Sequence, residues 1–468
     1  MNRAVNLTLI ERYSYGIGAI GKDIVFAVIS GYYMVYLTMV VGLDPLVVGV
    51  FIALARGWDA VNDPIMGSFV DNTRSRWGKF RPWLAIGTLL NAVVVIIMLS
   101  DFSFPGLGDY YFYLSIYIIW GMTYTIVDIP YWSLIPAISG TKEERNSISA
   151  LARIFASLGG GIAYAVMPMI LDSYGYGREV FFNTGVVVAC FFIFFMAFTV
   201  VFTREKIVII SEKIRIRDIL KVITKNDQLL AYIYSFGLYA CATSILNNAA
   251  FYYFKGVLDR EELMTLFIIL GGVGGMGVAM FAYPAMARRF TRRNIYIFSM
   301  LASIIGFATM SFFSFAFGGA TFALAGLFVG GWLVMFSNGT ASVGATVMLA
   351  DVVDYGEWKN GNRTENITFS AQCFVYKFAM AVAAIVTGAA LKLAGITTVD
   401  PTGVFTEAVT DAGKSIITFS IFTVPIFLII PGLIFYMKLY KFTGDYQDEI
   451  LEELERKREE KEHRVPPS

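Results

Sequence analysis

Residues Arg56 to Trp83 read RGWDAVNDPIMGSFVDNTRSRWGKFRPW. The first half continues an apolar stretch that begins near Leu46, yet it carries Asp59 and Asp63. Residues four apart on a helix share a face, so the two carboxylates point the same way with Asn62 on their flank. Pro64 has no N–H, which leaves the carbonyl of Ala60 without its helical partner and able to face a ligand. Together these groups make a cage of oxygens, the ligand type that hard cations take. Arg56, one turn before Asp59, neutralises one carboxylate but not two. Either Asp63 is protonated or a cation completes the balance, and a purely structural ion pair accounts for only part of the charge. The second half of the stretch, DNTRSRWGKFR, is basic, as expected of a loop that leaves a membrane on its cytoplasmic side.

The remainder of the chain has the same character. Of its 468 residues 57% are hydrophobic and 16% charged, too apolar a balance for a soluble protein of this length. Apolar runs of about 20 residues, enough to cross a ~30 Å hydrocarbon core, recur along the whole chain. We expect spans near 15–41, 46–70, 82–100, 110–138, 148–170, 179–203, 228–255, 262–285, 295–315, 319–349, 366–395 and 413–438. Arg and Lys crowd every second loop, after spans two, four, six, eight and ten, which puts both termini on the cytoplasmic side. Met1–Ser14 is polar and lacks a small-residue cleavage site, so no removable signal peptide is expected. Cys190, Cys241 and Cys373 fall inside apolar spans and are expected as small buried residues. The single histidine, His463, lies in a polar tail, which excludes histidine-based catalysis and histidine metal sites. No nucleophile–base pair, metal motif or phosphate loop is present, so the chain is not expected to be an enzyme.

One long polar connection, Arg204 to Asp227, divides the spans six and six. This gives an N-terminal bundle (1–203), a cytoplasmic linker (204–227), a C-terminal bundle (228–440) and a cytoplasmic tail (441–468). The halves echo one another: DNTRSRWGKFR after span two is matched in position by MARRFTRRN after span eight. The expected fold is an all-α membrane protein with twelve transmembrane helices in two pseudo-symmetric six-helix bundles, the major facilitator pattern with its binding site between halves. The tail reads as a short solvated helix with Ile450, Leu451 and Leu454 on one side, and the sequons at Asn362 and Asn366 fall on the cytoplasmic side, where they are chance matches.

Inside the spans, Lys22, Asp23, Asp128, Arg153 and Lys377 are the costly residues, at about 2.5 to 3.5 kcal/mol each at a lipid-surrounded helix centre. They are therefore expected to face one polar cavity, with snorkelling as the alternative for Lys22 and Arg153. Tyr124, Asp128 and Trp132 are spaced i, i+4, i+8 and line one stripe, which Pro130 can bend. A carboxylate accepts two neighbouring hydroxyls while an indole offers an apolar face to a ring, a combination that suits a sugar.

GIGAIGKD (Gly16 to Asp23), WDAVNDPIMG (Trp58 to Gly67), TRSRWGKFRPW (Thr73 to Trp83), WGMTYTIVDIPYWSLIP (Trp120 to Pro136), RIFASL (Arg153 to Leu158), KNDQL (Lys225 to Leu229) and DVVDYGEWK (Asp351 to Lys359) run in order along the chain. In these segments the chain resembles the glycoside-pentoside-hexuronide:cation symporter family of the major facilitator superfamily, and most of all its sodium-coupled melibiose-carrier branch. The resemblance implies that Asp59, Asn62, Asp63 and Thr125 hold the coupling cation, Asn62 favouring sodium. It implies a sugar site of Lys22, Asp23, Tyr124, Asp128, Trp132 and Arg153, with Lys377 between the two sites. Ser30 and Ser342 depart from an aromatic pair in that branch, which implies a wider pocket and a pentoside, glucoside, uronide or sulfated sugar as readily as a disaccharide. The expected activity is symport of a saccharide with sodium, lithium or a proton by alternating access. The expected partners are the sugar, a monovalent cation as coupling ion and membrane lipids, with no cofactor and no nucleic acid, for a monomer in a bacterial inner membrane. A proton-only sugar symporter and a non-transporting sugar sensor are the alternatives, and a lipid transporter of related fold is disfavoured by the polar pocket. Asp351, Asp354, Glu357 and Arg363, with the arginines of 74–81 and 288–293, are expected to supply weak salt bridges that close the inner side.

Overall fold

The structure is a computed structural model that describes residues 7–104, 106–206, 223–318, 321–361, 365–396, 398–400, 405 and 407–464. Among these, 12 helices are long and apolar enough to cross a membrane. They are α1 (Leu9–Val41), α2 (Pro45–Asp71), α3 (Arg81–Met98), α4 (Gly108–Ile138), α5 (Glu143–Tyr174), α6 (Arg178–Phe202), α7 (Asp227–Gly256), α8 (Glu262–Ala287), α9 (Arg292–Phe317), α10 (Phe322–Asn360), α11 (Ile367–Leu393) and α12 (Asp411–Leu439). A thirteenth helix, α13 (Asp445–Arg464), forms the polar tail. Most of the linker, Arg363 and the sequon asparagines Asn362 and Asn366 lie outside the described residues or side chains.

The helix starts are written in local chemistry. Thr8 and Glu11 form a capping box at the head of α1. Asp44 accepts from the N–H groups of Leu46 and Val47, with Pro45 in the first turn of α2. Thr141 and Thr291 cap α5 and α9 in the same way. At α3 the cap comes from a distance: the Glu205 carboxylate accepts from the N–H groups of Lys79, Phe80 and Arg81 at 2.7, 2.8 and 3.2 Å. Three helices contain wider π turns, at Tyr36–Val41, Ile269–Met276 and Phe419–Thr423.

Packing reveals the internal repeat. In the first half α4 packs on α2 and α3, and α3 also packs on α6. The second half repeats these pairings six helices later, α10 on α8 and α9, and α9 on α12. Residues on the remaining faces, such as Phe69, Phe281 and Phe427, are exposed apolar groups suited to lipid.

By contacts the chain forms two compact units. Unit 1 holds Met1–Lys213 together with Asn248–Ile268 and Ala384–Ile417, which are the last turns of α7 and α11 and the first turns of α8 and α12. Several contacts fix those ends. Lys255 Nζ lies 2.8 Å from Glu261 Oε2, with only 9% of either side chain exposed, and Tyr176 donates to Glu261 Oε1 at 3.2 Å. Burial above all, and next the charge of Glu261, pushes the Tyr176 phenol well above its ordinary pKa, so it remains a donor. Lys392 pairs with Asp44 at 2.8 Å. Burial raises the Asp44 pKa, but Lys392 and the backbone N–H groups of α2 outweigh it and hold the carboxyl below its ordinary value. Thr38 and Tyr252 share a buried hydrogen bond of 2.7 Å. Gly49 and Gly388 let α2 and α11 touch backbone to backbone: a Cβ on either would lie 2.5 or 2.4 Å from the facing carbonyl.

Unit 2 holds Ile214–Asn247, Ile269–Ala383 and Thr418–Ser468. Two expectations change here. The charged run Asp351–Lys359 is not a loop but the last turns of α10, which continues to Asn360 and stops at Gly361 with φ +75°. The apolar pattern ends near Leu349, but no helix breaker follows it, and Arg292–Asp351 and Lys359–Asp227 ion pairs sustain the extra turns. The tail is not simply solvated either. Ile450 and Leu454 are buried where α13 packs on α10, Trp358 donates to Glu453 at 2.8 Å, and Lys457 lies 5.8 Å from the Trp358 ring centroid. Likewise only Cys241 of the three free cysteines is buried, Cys190 and Cys373 being exposed on helix flanks.

Candidate functional site

On α2 the acidic residues occupy the packed side. Arg56, Asp59 and Asn62 are buried while Trp58, Val61, Ile65 and Phe69 are exposed, so the helix turns its charges toward α4 and its apolar residues outward. Arg56 NH1 lies 3.3 Å from Asp59 Oδ2. Thr125 of α4 donates to Asp63 Oδ1 at 3.3 Å and to the Gly121 carbonyl at 3.0 Å. Gly121 is required by the approach of the two helices, because a Cβ there would lie 2.7 Å from Asp59 Oδ1. The Asn62 Nδ2 atom is buried with no hydrogen-bond partner in the structure. Since the two ends of an amide are interchangeable by a flip, Asn62 can equally present its oxygen there. Asp59, Asn62, Asp63 and Thr125 therefore form one neighbourhood of oxygen donors, whose chemistry fits a small hard cation.

Nearby on α4, Asp128 gathers a second group. Lys22 Nζ lies 2.8 Å from Asp128 Oδ1, 3.1 Å from the Tyr124 hydroxyl and 3.3 Å from Asp23 Oδ2. Trp132 donates from Nε1 to the same Asp128 oxygen at 3.1 Å. Only 4% of the Lys22 side chain is exposed against 36% for Asp128. The lysine is thus an internal counter-charge, not a snorkelling one, while the aspartate keeps an accessible side. Arg153 stacks its guanidinium on the Trp132 ring, 5.5 Å from the centroid, which accounts for its place on α5. Behind this cluster, Tyr15 and Tyr131 stack at 4.5 Å and each donates its hydroxyl to the other's backbone carbonyl at 2.7 Å, which pins α1 to α4.

An aromatic group missed in the sequence connects the two clusters. The Arg56 guanidinium lies 5.6 Å from the rings of Phe26 and Trp120 and 5.9 Å from that of Tyr117. Trp120 stacks on Tyr124 at 5.6 Å, and Phe26 packs on Tyr124 at 5.4 Å. A continuous path runs from Asp59 through Arg56 and these rings to Tyr124, Lys22 and Asp128. The i, i+4 spacing of Trp120 and Tyr124 hinted at it, but aromatic residues at helical spacing usually signify packing alone. Ser30, half-buried on α1, donates to the Phe26 carbonyl at 2.5 Å, and Ser342 is exposed on α10. All of the expected cation and sugar residues fall in unit 1 except Lys377, which is half-buried on α11 in unit 2. Of the charged clusters expected to form weak salt bridges, Arg292 pairs with Asp351 within unit 2, and Lys79 of the 74–81 run pairs with Asp71 within unit 1.

Comparison with known proteins places this geometry in context. The chain is 28% identical to a lactose permease of Leuconostoc lactis over 96% of its own length and 72% of that protein's. It is 29% identical to an isoprimeverose transporter of Lactiplantibacillus pentosus, covering 82% of this chain and 80% of the other. Among solved structures, a D-xylose-proton symporter superposes with a TM-score of 0.63 at 13% identity, over 92% of this chain and 97% of that one. The nucleoside transporter NupG superposes with a TM-score of 0.62 at 14% identity, over 91% and 99%. At those identities the likeness shows the fold, which is that of the major facilitators. A model of the MFS/sugar transport protein family matches residues 14–444. The chain therefore belongs to the MFS/sugar transport protein family, as its glycoside-pentoside-hexuronide:cation symporter motifs implied, and is a multi-pass membrane transporter, not an enzyme.

Proposed function

We propose that this protein is a cation-coupled sugar symporter, with sodium held by Asp59, Asn62, Asp63 and Thr125 and the sugar held by Asp128 with Lys22, Asp23, Tyr124, Trp132 and Arg153. The observation that carries the proposal is the shared stretch of α4. Thr125 donates to Asp63 of α2, while its neighbour Tyr124 and the next turn's Asp128 bond to Lys22. Without a cation, Asp59 and Asp63 repel one another and Arg56 offsets only one of them. Cation binding draws α2 onto α4 through Thr125, which orders Tyr124 and Asp128 for the sugar, and by linkage the sugar raises cation affinity to the same degree. The relatives' names, lactose permease and isoprimeverose transporter, support a saccharide with a glycosidic bond. Inward movement of one sodium ion adds about 2.3 kcal/mol per 100 mV to its concentration gradient.

We place both termini on the cytoplasmic side of a bacterial inner membrane, from the Arg and Lys of alternate loops. The cluster of Lys255, Glu261, Tyr176, Asp44 and Lys392 then lies at the outer end and acts as the outer seal of the transport cycle. The test is uptake into liposomes of purified protein: an inward sodium gradient at fixed pH should drive accumulation of a labelled glycoside. A proton gradient that drives accumulation while sodium has no effect would overturn the sodium assignment and leave the proton-coupled reading. A protein that binds glycosides but accumulates none under either gradient would overturn symport.

A further inference from the structure

The lipid-facing side of α12 carries a groove of about 470 Å³, lined by Tyr234 of α7 and by Pro431, Ile434, Phe435, Lys438 and Leu439 of α12. The α12 positions recur at three and four residues and so form one face of the helix. The other face is engaged: Gly432 abuts the Ser235 carbonyl and Leu238 of α7, and buried Tyr436 packs on Tyr296 with ring centroids 4.7 Å apart. α12 is therefore anchored by one face, and the groove is what remains on the other. Tyr234 and Phe435, 4.5 Å apart, wall it, and Pro431 supplies an apolar surface with no N–H to leave unpaired in lipid.

Lys438 sits at the mouth, in the last turn of α12. Other cations of unit 2 are engaged, Arg292 with Asp351, Lys359 with Asp227, Lys457 with Glu453 and Arg293 with the Met437 carbonyl. Lys438 is exposed and makes no ion pair or hydrogen bond among the described residues. Just beyond it the chain leaves the helix, where the Lys441 and Phe442 N–H groups donate to Gln228 Oε1, so Lys438 belongs to the polar end of α12. An unpaired cation at the end of an apolar slot is complementary to a phosphate above an acyl chain. The end concerned also bears Arg288, Arg289, Arg292 and Arg293, and basic pockets between membrane helices on that side recruit anionic lipids.

We propose that this groove is a binding site for one anionic phospholipid, its acyl chain between Tyr234 and the Pro431–Leu439 face and its phosphate on Lys438. A lysine that merely reaches for the interface would favour anionic lipid whether or not the groove were open, so the test reads the groove and the headgroup separately. Native mass spectrometry of the full chain, titrated with phosphatidylglycerol and phosphatidylcholine, should show one phosphatidylglycerol retained in preference. Lys438→Ala should weaken that binding about fivefold and leave phosphatidylcholine unchanged. Lys438→Arg and Lys457→Ala should retain the preference, and Ile434→Trp, which fills an exposed groove position, should weaken both lipids. Equal retention of the two lipids by the parent, or an undiminished preference in Lys438→Ala, overturns the assignment of the headgroup. Undiminished binding in Ile434→Trp overturns the groove.

Discussion

Replacing Glu261 by Gln isolates the outer seal. Glu261 and Lys255 are paired at 2.8 Å with 9% of each side chain exposed, so the substitution leaves the Lys255 ammonium buried beside a neutral amide, with only the solvent-exposed Asp259 carboxylate, 3.9 Å away, as a counter-charge. Removing one partner of a buried ion pair costs about 3–5 kcal/mol. That cost falls only on the conformation in which the cluster is buried. Once α7 and α8 move away from the α5–α6 turn, Lys255 regains water and the penalty disappears. The equilibrium between sealed and open outer ends should therefore move toward the open form by a factor of roughly 10² to several times 10³. Spin labels at cysteines replacing exposed Tyr174 and Glu262, in protein whose Cys190, Cys241 and Cys373 are replaced by serine, report the separation by double electron–electron resonance. Glu261→Gln should populate a longer distance. The Lys255→Met, Glu261→Met pair, which removes the charge imbalance and retains the burial, should restore the shorter one. A folded Glu261→Gln protein with the parent's distance distribution would refute the argument that this pair holds the seal.

Other outcomes test the rest of the site. Asp59→Cys or Asp63→Cys should abolish cation-driven accumulation in liposomes while some sugar binding survives in equilibrium measurements. Asp128→Asn should lower sugar affinity about tenfold or more by replacing a charge-assisted acceptor with a neutral one, and Trp132→Ala should lower it as well, both read by isothermal titration. Gly121→Ala sets a methyl group 2.7 Å from Asp59 Oδ1, so α4 and α2 must part; sodium affinity should fall by the equivalent of about 1–3 kcal/mol, with sugar binding recovered at saturating sodium. Ser30→Tyr combined with Ser342→Trp should narrow the pocket and reorder a panel of competing sugars, and an unchanged ranking in a folded double variant would mean that neither position sets selectivity.

The sequence by itself determined the elements of this protein. Lengths of apolar runs, basic loops and the charges inside spans are local or periodic signals, and a membrane makes them strong because an unpaired charge or backbone group in lipid is costly. The pairing of Arg56 with Asp59 and the stripe of Tyr124, Asp128 and Trp132 were legible for that reason, being three or four residues apart on one helix. The family motifs carried the remaining site residues, through resemblance and not through geometry. What lay between helices was not legible. The aromatic cage of Arg56 draws on α1 and α4, Gly121 matters only because Asp59 approaches it, and Glu205 caps a helix more than a hundred residues before it. The ends of α10 and the tail were misread for a related reason. Their charges resemble solvent-facing residues until tertiary structure supplies partners, and only then do Arg292, Asp227 and Glu453 convert a polar run into packed helix. Contacts between residues far apart in the chain depend on loop closure and packing that no local pattern encodes, and so the tertiary structure alone decided which charges were paired and which were buried.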